Sequence, residues 1–360
     1  MPILNIDVSA IHFNLNTLLD ICKQNSLEFV PVIKSFSGVS NILEILDCSS
    51  IKTLGLSRLS TVNQVSKFRY NPLLTCISLV DQDRFTEAFF QFDEVYVSSE
   101  VALSSYISLA KSNPHKNIRL IFLVDCGDHR EGLDPNKVYD LIAKHCKSVP
   151  HNLQIAGLAT TLGCNYGVLP NEENLAVLES LSKRLELLLE HRIDTISVGG
   201  SVILKMILDN RLPSFITQVR IGEALLLGTI PAYSMDHPSL RQDAFSFSSS
   251  VVELDEKPNY PSFSQGLNAL GKEYKTEAKR VILQGILDFG ILDTDANGLS
   301  PKNANIKFCN QNSDYTMIEV YGDPKALPKH ICFRPNYKSL AQALHSDFVE
   351  KKIVPKAYSE

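Results

Sequence analysis

Eight short apolar runs, regularly spaced through the first 230 residues, constrain the fold of this chain more than any other feature. They are "EFVPVIK" (28–34), "KTLGLS" (52–57), "LLTCISLV" (73–80), "EVYVSS" (94–99), "IRLIFLVD" (118–125), "LQIAGLAT" (153–160), "DTISVGG" (194–200) and "TQVRIG" (217–222). Their near-continuous apolar character suits strands buried on both faces of a parallel sheet. Longer amphipathic segments separate them, including "VSNILEILDC", "SEVALSSYISLAKS", "PNKVYDLIAKHC" and "NEENLAVLESLSKRLELLLEH". Apolar residues recur there at three- and four-residue steps, as on a helix. The last opens with Asn171, Glu172 and Glu173, which suit a helix N-terminus. Eight strands, each followed by a helix or a turn, predict an α/β chain folded as a (β/α)8 TIM-like barrel. An open doubly wound sheet is the alternative, and it lacks its G-x-G-x-x-G first turn here.

After about residue 230 the texture changes. "TIPAYSMDHPSLRQ" reads as a linker, and "AFSFSSSVVELD", "RVILQGILDF", "NIKFC", "YTMIEV" and "HICFR" alternate with period two. The expectation is a barrel domain over 1–235 and a smaller, mainly β C-terminal domain over 236–360, with "EKPNYPSFSQGLNALGKEYKTEA" as a long surface loop. A chain of 360 residues has room for both.

Composition narrows the partners. A net charge of −5 gives no reason to expect nucleic acid or an anionic membrane. The eight cysteines are scattered, with no C-x-x-C pair and no zinc spacing, so no metal is expected. The start "MPILNIDVSA" lacks a basic region and carries Asp7, and no apolar run is long enough to cross a bilayer. A reduced, cytoplasmic protein acting on a small molecule is expected.

Barrels carry their active sites at the C-terminal ends of their strands, and phosphate often binds after strands seven and eight. Applied here, that rule gathers Lys34 after strand one and Asp125 after strand five, with Asp128, His129, Arg130 and Glu131 following. It adds Thr160 and Thr161 at strand six, then Cys164, Asn165 and Tyr166. Strand seven contributes Gly199, Gly200 and Ser201, and strand eight contributes Arg220, Gly222 and Glu223. The "GGS" and "IGE" turns either make tight βα connections or offer backbone N–H groups to an anion. Lys34 either marks the strand's exit into water or forms a Schiff base with an aldehyde cofactor. Desolvation and neighbouring arginines favour the neutral amine that the second role needs.

The stretches "PVIKSFSG", "VDCGDHREGLDP", "GCNYGVLPNEENL", "VRIGEALLLG", "DAFSFSSSVVELDEKP" and "FRPNYKSLAQAL" lie in order from residue 31 to 345. Together they resemble the fold-type III pyridoxal-phosphate enzymes, the alanine racemase group, and within it the ornithine racemase-like branch. The resemblance implies a pyridoxal 5'-phosphate cofactor bound to Lys34, with Arg220 on the pyridine nitrogen. It implies Gly222, Glu223 and Ser201 as phosphate donors, and Arg130 beside the cofactor phenolate and the substrate carboxylate. Tyr337 matches a C-terminal tyrosine that reaches the phosphate, or is a packed aromatic of the β domain. It further implies racemisation of a free amino acid, ornithine or another basic one, by a head-to-tail homodimer.

This chain departs from the group in three places. Thr161 stands where alanine racemase stacks a histidine on the cofactor, Gly200 stands where the ornithine branch has an asparagine, and Ile286 takes the place of the second catalytic base, a tyrosine. Cys164 is the first candidate to replace that base, with a buried structural thiol as its alternative; His129 and Asp288 follow. Asp128, Glu131 and Glu223 either line an anionic wall for a substrate ammonium or pair with the arginines. Rival readings are a non-catalytic cofactor-holding protein, a decarboxylase of the same fold type, and an unrelated barrel enzyme whose Lys34 is structural.

Overall fold

The computed structural model describes residues 1–34, 39–268, 270, 271, 273 and 278–354. Residues 35–38 of the lysine motif and part of the expected 256–278 loop lie outside the described residues. The chain divides into two compact units, Ile11–Arg241 and Met1–Ala10 with Gln242–Glu360.

The first unit is a closed barrel of eight parallel strands. They are β2 (Glu28–Ile33), β3 (Thr53–Leu56), β4 (Leu73–Cys76), β5 (Glu94–Val97), β6 (Ile118–Leu123), β7 (Leu153–Thr161), β8 (Thr195–Gly199) and β9 (Gln218–Ile221). Each falls within or beside one apolar run of the sequence. The barrel closes where β9 pairs with β2, Val30 opposite Arg220.

Around it run α1 (Val8–Gln24), α2 (Ser40–Leu46), α3 (Val62–Val65), α4 (Phe85–Gln91), α5 (Glu100–Ser112), α6 (Pro135–His145), α7 (Glu172–Leu189), α8 (Ile203–Leu208) and α9 (Glu223–Leu227). The longer ones start where the sequence supplies a cap. Ser99 accepts the Ala102 N–H ahead of α5, and Asp134 accepts two N–H groups ahead of α6, which begins with Pro135. Asn171 and Asn174 form a reciprocal capping box on α7. A short antiparallel pair, β10 (Thr229–Ile230) and β11 (Met235–Asp236), occupies the expected linker.

The second unit is an antiparallel-rich sheet. Its main path runs β14 (Leu299–Pro301), β17 (His330–Pro335), β12 (Phe245–Pro258), β13 (Val281–Leu287), β16 (Thr316–Val320), β15 (Ile306–Gln311). Phe247, Phe289 and Phe333 pack at its core with ring centroids 5.1–6.5 Å apart. One helix, α10 (Tyr337–His345), is capped by Asn336. The structure moves the expected boundary at the chain's start. Strand β1 (Ile3–Ile6) pairs antiparallel with β12 and parallel with β18 (Glu350–Ile353), so the first ten residues belong to the β unit rather than to the barrel. The second seam falls at 241/242. Among the described residues, no helix is long and apolar enough to cross a membrane.

Candidate active site

Parallel strands aim their C-terminal ends at one mouth, so residues distant in sequence meet there. Lys34 is the first residue after β2. It is exposed at the mouth, yet the protein crowded around its amine, and then the Arg130 guanidinium, hold its pKa below the usual lysine value. The charges of Cys164, Glu131 and Glu223 act in the opposite sense. These are the neighbours the strand-end rule collected.

Arg220, on β9, is 4% exposed. Its Nη1 donates to Ser197 Oγ at 2.8 Å, and its Nη2 donates to the Thr160 carbonyl at 2.9 Å and to Thr161 Oγ1 at 3.3 Å. The guanidinium carbon lies 5.1 Å from the ring centroid of Tyr96, a buried residue of β5. Burial pushes the Tyr96 phenol up to about 12 against the pull of Arg220. Gly199 makes room for the arginine, because a Cβ there would stand 2.4 Å from Nη2. Thr161 passes the contact onward by donating to Glu131 Oε1 at 2.9 Å, which also receives Arg130 Nη1 at 2.5 Å. Glu131 thus clamps Arg130, and Thr161 ties that clamp to Arg220.

The turns after β8 and β9 form a cradle of donors. Gly200 takes a φ of +109°, conformational space that glycine enters readily, and its N–H closes on the Arg220 carbonyl at 3.0 Å. Ser201 Oγ accepts the Ala224 N–H at 3.0 Å, which leaves its hydroxyl proton to donate elsewhere. The N–H groups of Ser201, Val202, Gly222 and Glu223 have no acceptor among the described residues. Arg220 Nε is in the same position. Free N–H groups with a hydroxyl suit a phosphate, and the arginine Nε suits a pyridine nitrogen, so these residues fit pyridoxal phosphate.

Other expected residues separate from this ring. Asp128 is no wall for a substrate: 1% exposed, it accepts the N–H groups of Cys164, Asn165 and Val168 at 3.2, 2.7 and 2.9 Å. It anchors the loop that carries Cys164, whose thiol is free and exposed rather than buried. His129 Nδ1 lies 2.6 Å from Asp125 Oδ2. Burial raises the Asp125 pKa, but bonds from the His129 ring and from the Gly127 and His129 N–H groups outweigh it and hold the carboxyl low. Burial pushes Glu223 upward, opposed by its bond from Thr229 and by Lys34.

Tyr337, Ile286 and Asp288 belong to the β unit. Asp288 is bound by the chain's first ammonium, by Ser249 Oγ and by the Ser250 N–H, and it lies below the ordinary aspartate pKa despite its burial. Such a carboxyl is a weak base. Sequence reasoning missed Tyr96 and Ser197. Both lie inside strands, where the rule for strand ends does not look.

The barrel, its strand-end lysine and its donor cradle define a pyridoxal-phosphate enzyme scaffold of the fold-type III kind. The alanine racemase N-terminal domain family matches residues 6–229, and the chain belongs to that family. It is an amino-acid racemase by descent. It is 28% identical over 98% of its length to the lysine racemase of Thermotoga maritima, and 26% identical over 98% to the ornithine racemase of Acetoanaerobium sticklandii, covering 99% of each. Its fold superposes with a TM-score of 0.73 on the alanine racemase of Bartonella henselae, solved with covalently bound pyridoxal phosphate. That pair is 15% identical, covering 98% of this chain and 99% of the other.

Proposed function

We propose that this chain interconverts the enantiomers of a basic amino acid, ornithine or lysine, using pyridoxal phosphate anchored on Lys34. The observation that carries the proposal is the convergence of a lysine of lowered pKa, a clamped arginine, a buried arginine and unsatisfied backbone donors at one barrel mouth. The full-length likeness to a lysine and an ornithine racemase supports the substrate class.

Bound pyridoxal phosphate supplies a sink for the electron pair left at Cα when its proton departs. The protein's own groups do the rest. Lys34, neutral at a lower pH than an ordinary lysine, serves as nucleophile and then as the proton carrier on its own face of Cα. Arg130, clamped by Glu131, presents its guanidinium to the substrate carboxylate. Arg220 keeps its proton, so it hydrogen-bonds an acceptor nitrogen without protonating it. That restrains the sink and with it transamination. Cys164 serves the opposite face, on a loop that Asp128 holds beside Lys34. Of the three carboxylates that could receive a side-chain ammonium, Asp128 is spent on the loop and Glu131 on Arg130, which leaves Glu223. The working enzyme is a cytoplasmic homodimer, and a monomer alone in sedimentation at micromolar concentration would count against that assembly.

The test is an absorption scan of the purified protein before and after borohydride, beside Lys34→Ala. A yellow band that borohydride removes, absent from the variant, is expected. Racemisation assays on ornithine, lysine and alanine then read the substrate class, and best turnover on alanine would refute the basic-substrate proposal. Because Ile286 replaces the family tyrosine, a protein that holds the cofactor without turnover is the second reading. Exchange of the Cα proton in heavy water separates the two.

A further inference from the structure

The layer of the barrel at the starts of its strands is not the stack of branched apolar side chains that usually fills such barrels. The first turns of its strands carry Glu28, Thr53, Glu94, Arg119, Thr195 and Gln218, with Thr75 and Ser197 two residues into β4 and β8. Buried polar groups are costly unless they are bonded. Here most of the bonds fall into two arms, which share no hydrogen bond among the described residues although the charge of Glu28 is felt at Glu94. In one, Arg119 donates to Glu94 Oε2 at 3.2 Å and to Thr195 Oγ1 at 3.0 Å. Among the described residues this arm makes no hydrogen bond to Arg220.

The other arm climbs to the site. Thr53 Oγ1 donates to Glu28 Oε1 at 2.6 Å, and Gln218 Nε2 donates to Glu28 Oε2 at 3.1 Å. Ser197 Oγ donates to Gln218 Oε1 at 2.6 Å, and Arg220 Nη1 donates to Ser197 Oγ at 2.8 Å. From Arg220 downward every proton points toward the carboxylate. Glu28 imposes this direction. An ionised carboxylate only accepts, so it takes the amide NH2 of Gln218 and turns the amide oxygen toward Ser197. The serine's single proton is then committed, and its lone pair receives the arginine. Ser197 is fully buried and Gln218 is 3% exposed, so water does not compete for these bonds. No carboxylate lies within ion-pair distance of the buried Arg220 among the described residues. A chain of aligned hydrogen bonds polarises cooperatively, and this one links that cation to the charge of Glu28.

We infer that Glu28, Gln218 and Ser197 are positioning residues for Arg220: their relay fixes the guanidinium so that Nε meets the pyridine nitrogen, and thereby sets the affinity and absorption of the bound cofactor. The inference rests on the pyridoxal-phosphate reading of the site. Glu28 lies on the far side of Gln218 and Ser197 from the arginine and touches no reacting atom.

The experiment compares the parent enzyme with Glu28→Gln, Gln218→Met, the double variant, and Thr195→Val on the other arm. Each protein is stripped of cofactor and titrated with pyridoxal phosphate. The dissociation constant and the position of the visible band are recorded, along with urea unfolding of the stripped form. Each single relay variant should bind about tenfold more weakly, the scale of one hydrogen bond to a charged group, and shift the band. The double variant should lose no more than the worse single one, because cutting one relay twice adds nothing. Thr195→Val, which removes the acceptor of Arg119 without changing any charge, should alter unfolding alone. A relay variant that unfolds more easily while binding and absorbing as the parent does, or losses that add in the double variant, would overturn the inference. A parent that neither binds pyridoxal phosphate nor shows a borohydride-sensitive band would instead sink the cofactor reading, and the inference with it.

Discussion

Replacing Asp128 by alanine removes the acceptor on which the 164–168 loop hangs. Three backbone N–H groups, of Cys164, Asn165 and Val168, lose a charged partner at once. A hydrogen bond to a charged group contributes about 1.5–3 kcal/mol. Cys164 and Asn165 are exposed, so their N–H groups regain bonds to water and the low end applies to them. Val168 is half-buried and recovers less. The expected destabilisation of the barrel is about 4.5–6 kcal/mol, a large share of a typical domain's stability. Urea unfolding measures it, read on the barrel's own transition because a chain of two units need not unfold in one step. A second assay is the rate at which a thiol reagent modifies Cys164, which should rise as the loop loosens. Asp128→Asn keeps one oxygen but turns an NH2 toward other donors, and should fall between parent and alanine variant. A loss under about 1 kcal/mol with unchanged thiol reactivity would refute the anchoring argument.

Three further outcomes are expected. Ser201→Ala removes a phosphate donor and orphans the Ala224 N–H, so pyridoxal phosphate should bind about ten- to a hundred-fold more weakly in a titration. Arg130→Gln deletes a cation that depresses Lys34 and unmasks Glu131, and both changes favour the ammonium; the pH midpoint for band formation with added cofactor should therefore move up, and a downward move would contradict the charge assignment. Cys164→Ala should abolish solvent-proton delivery to one face of Cα while sparing exchange on the face of Lys34; full racemisation in both directions would exclude Cys164.

The barrel was legible in the sequence because its strands are buried on both faces, and eight near-continuous apolar runs leave few other folds. The site followed from the same regularity: parallel strands share one mouth, so Lys34, Arg130, Thr161, Ser201, Arg220 and Glu223 could be gathered by counting strand ends. Hydrophobic pattern says nothing about which distant segments pair, so only the register of β1 against Phe245–Ser248 and Glu350–Ile353 assigns it to the β unit. Nor does a strand's composition show where one inward polar side chain meets another. Glu28, Ser197 and Gln218 look like incidental breaks in three apolar runs. Barrel closure brings them to hydrogen-bonding distance beneath Arg220. It likewise turns Asp128 away from substrate and onto a loop 36–40 residues later. Sequence by itself determined which elements form and which of their ends carry chemistry, because burial and periodicity are local. The tertiary structure decided which polar groups satisfy one another, because a hydrogen bond depends on distances that only the closed barrel sets.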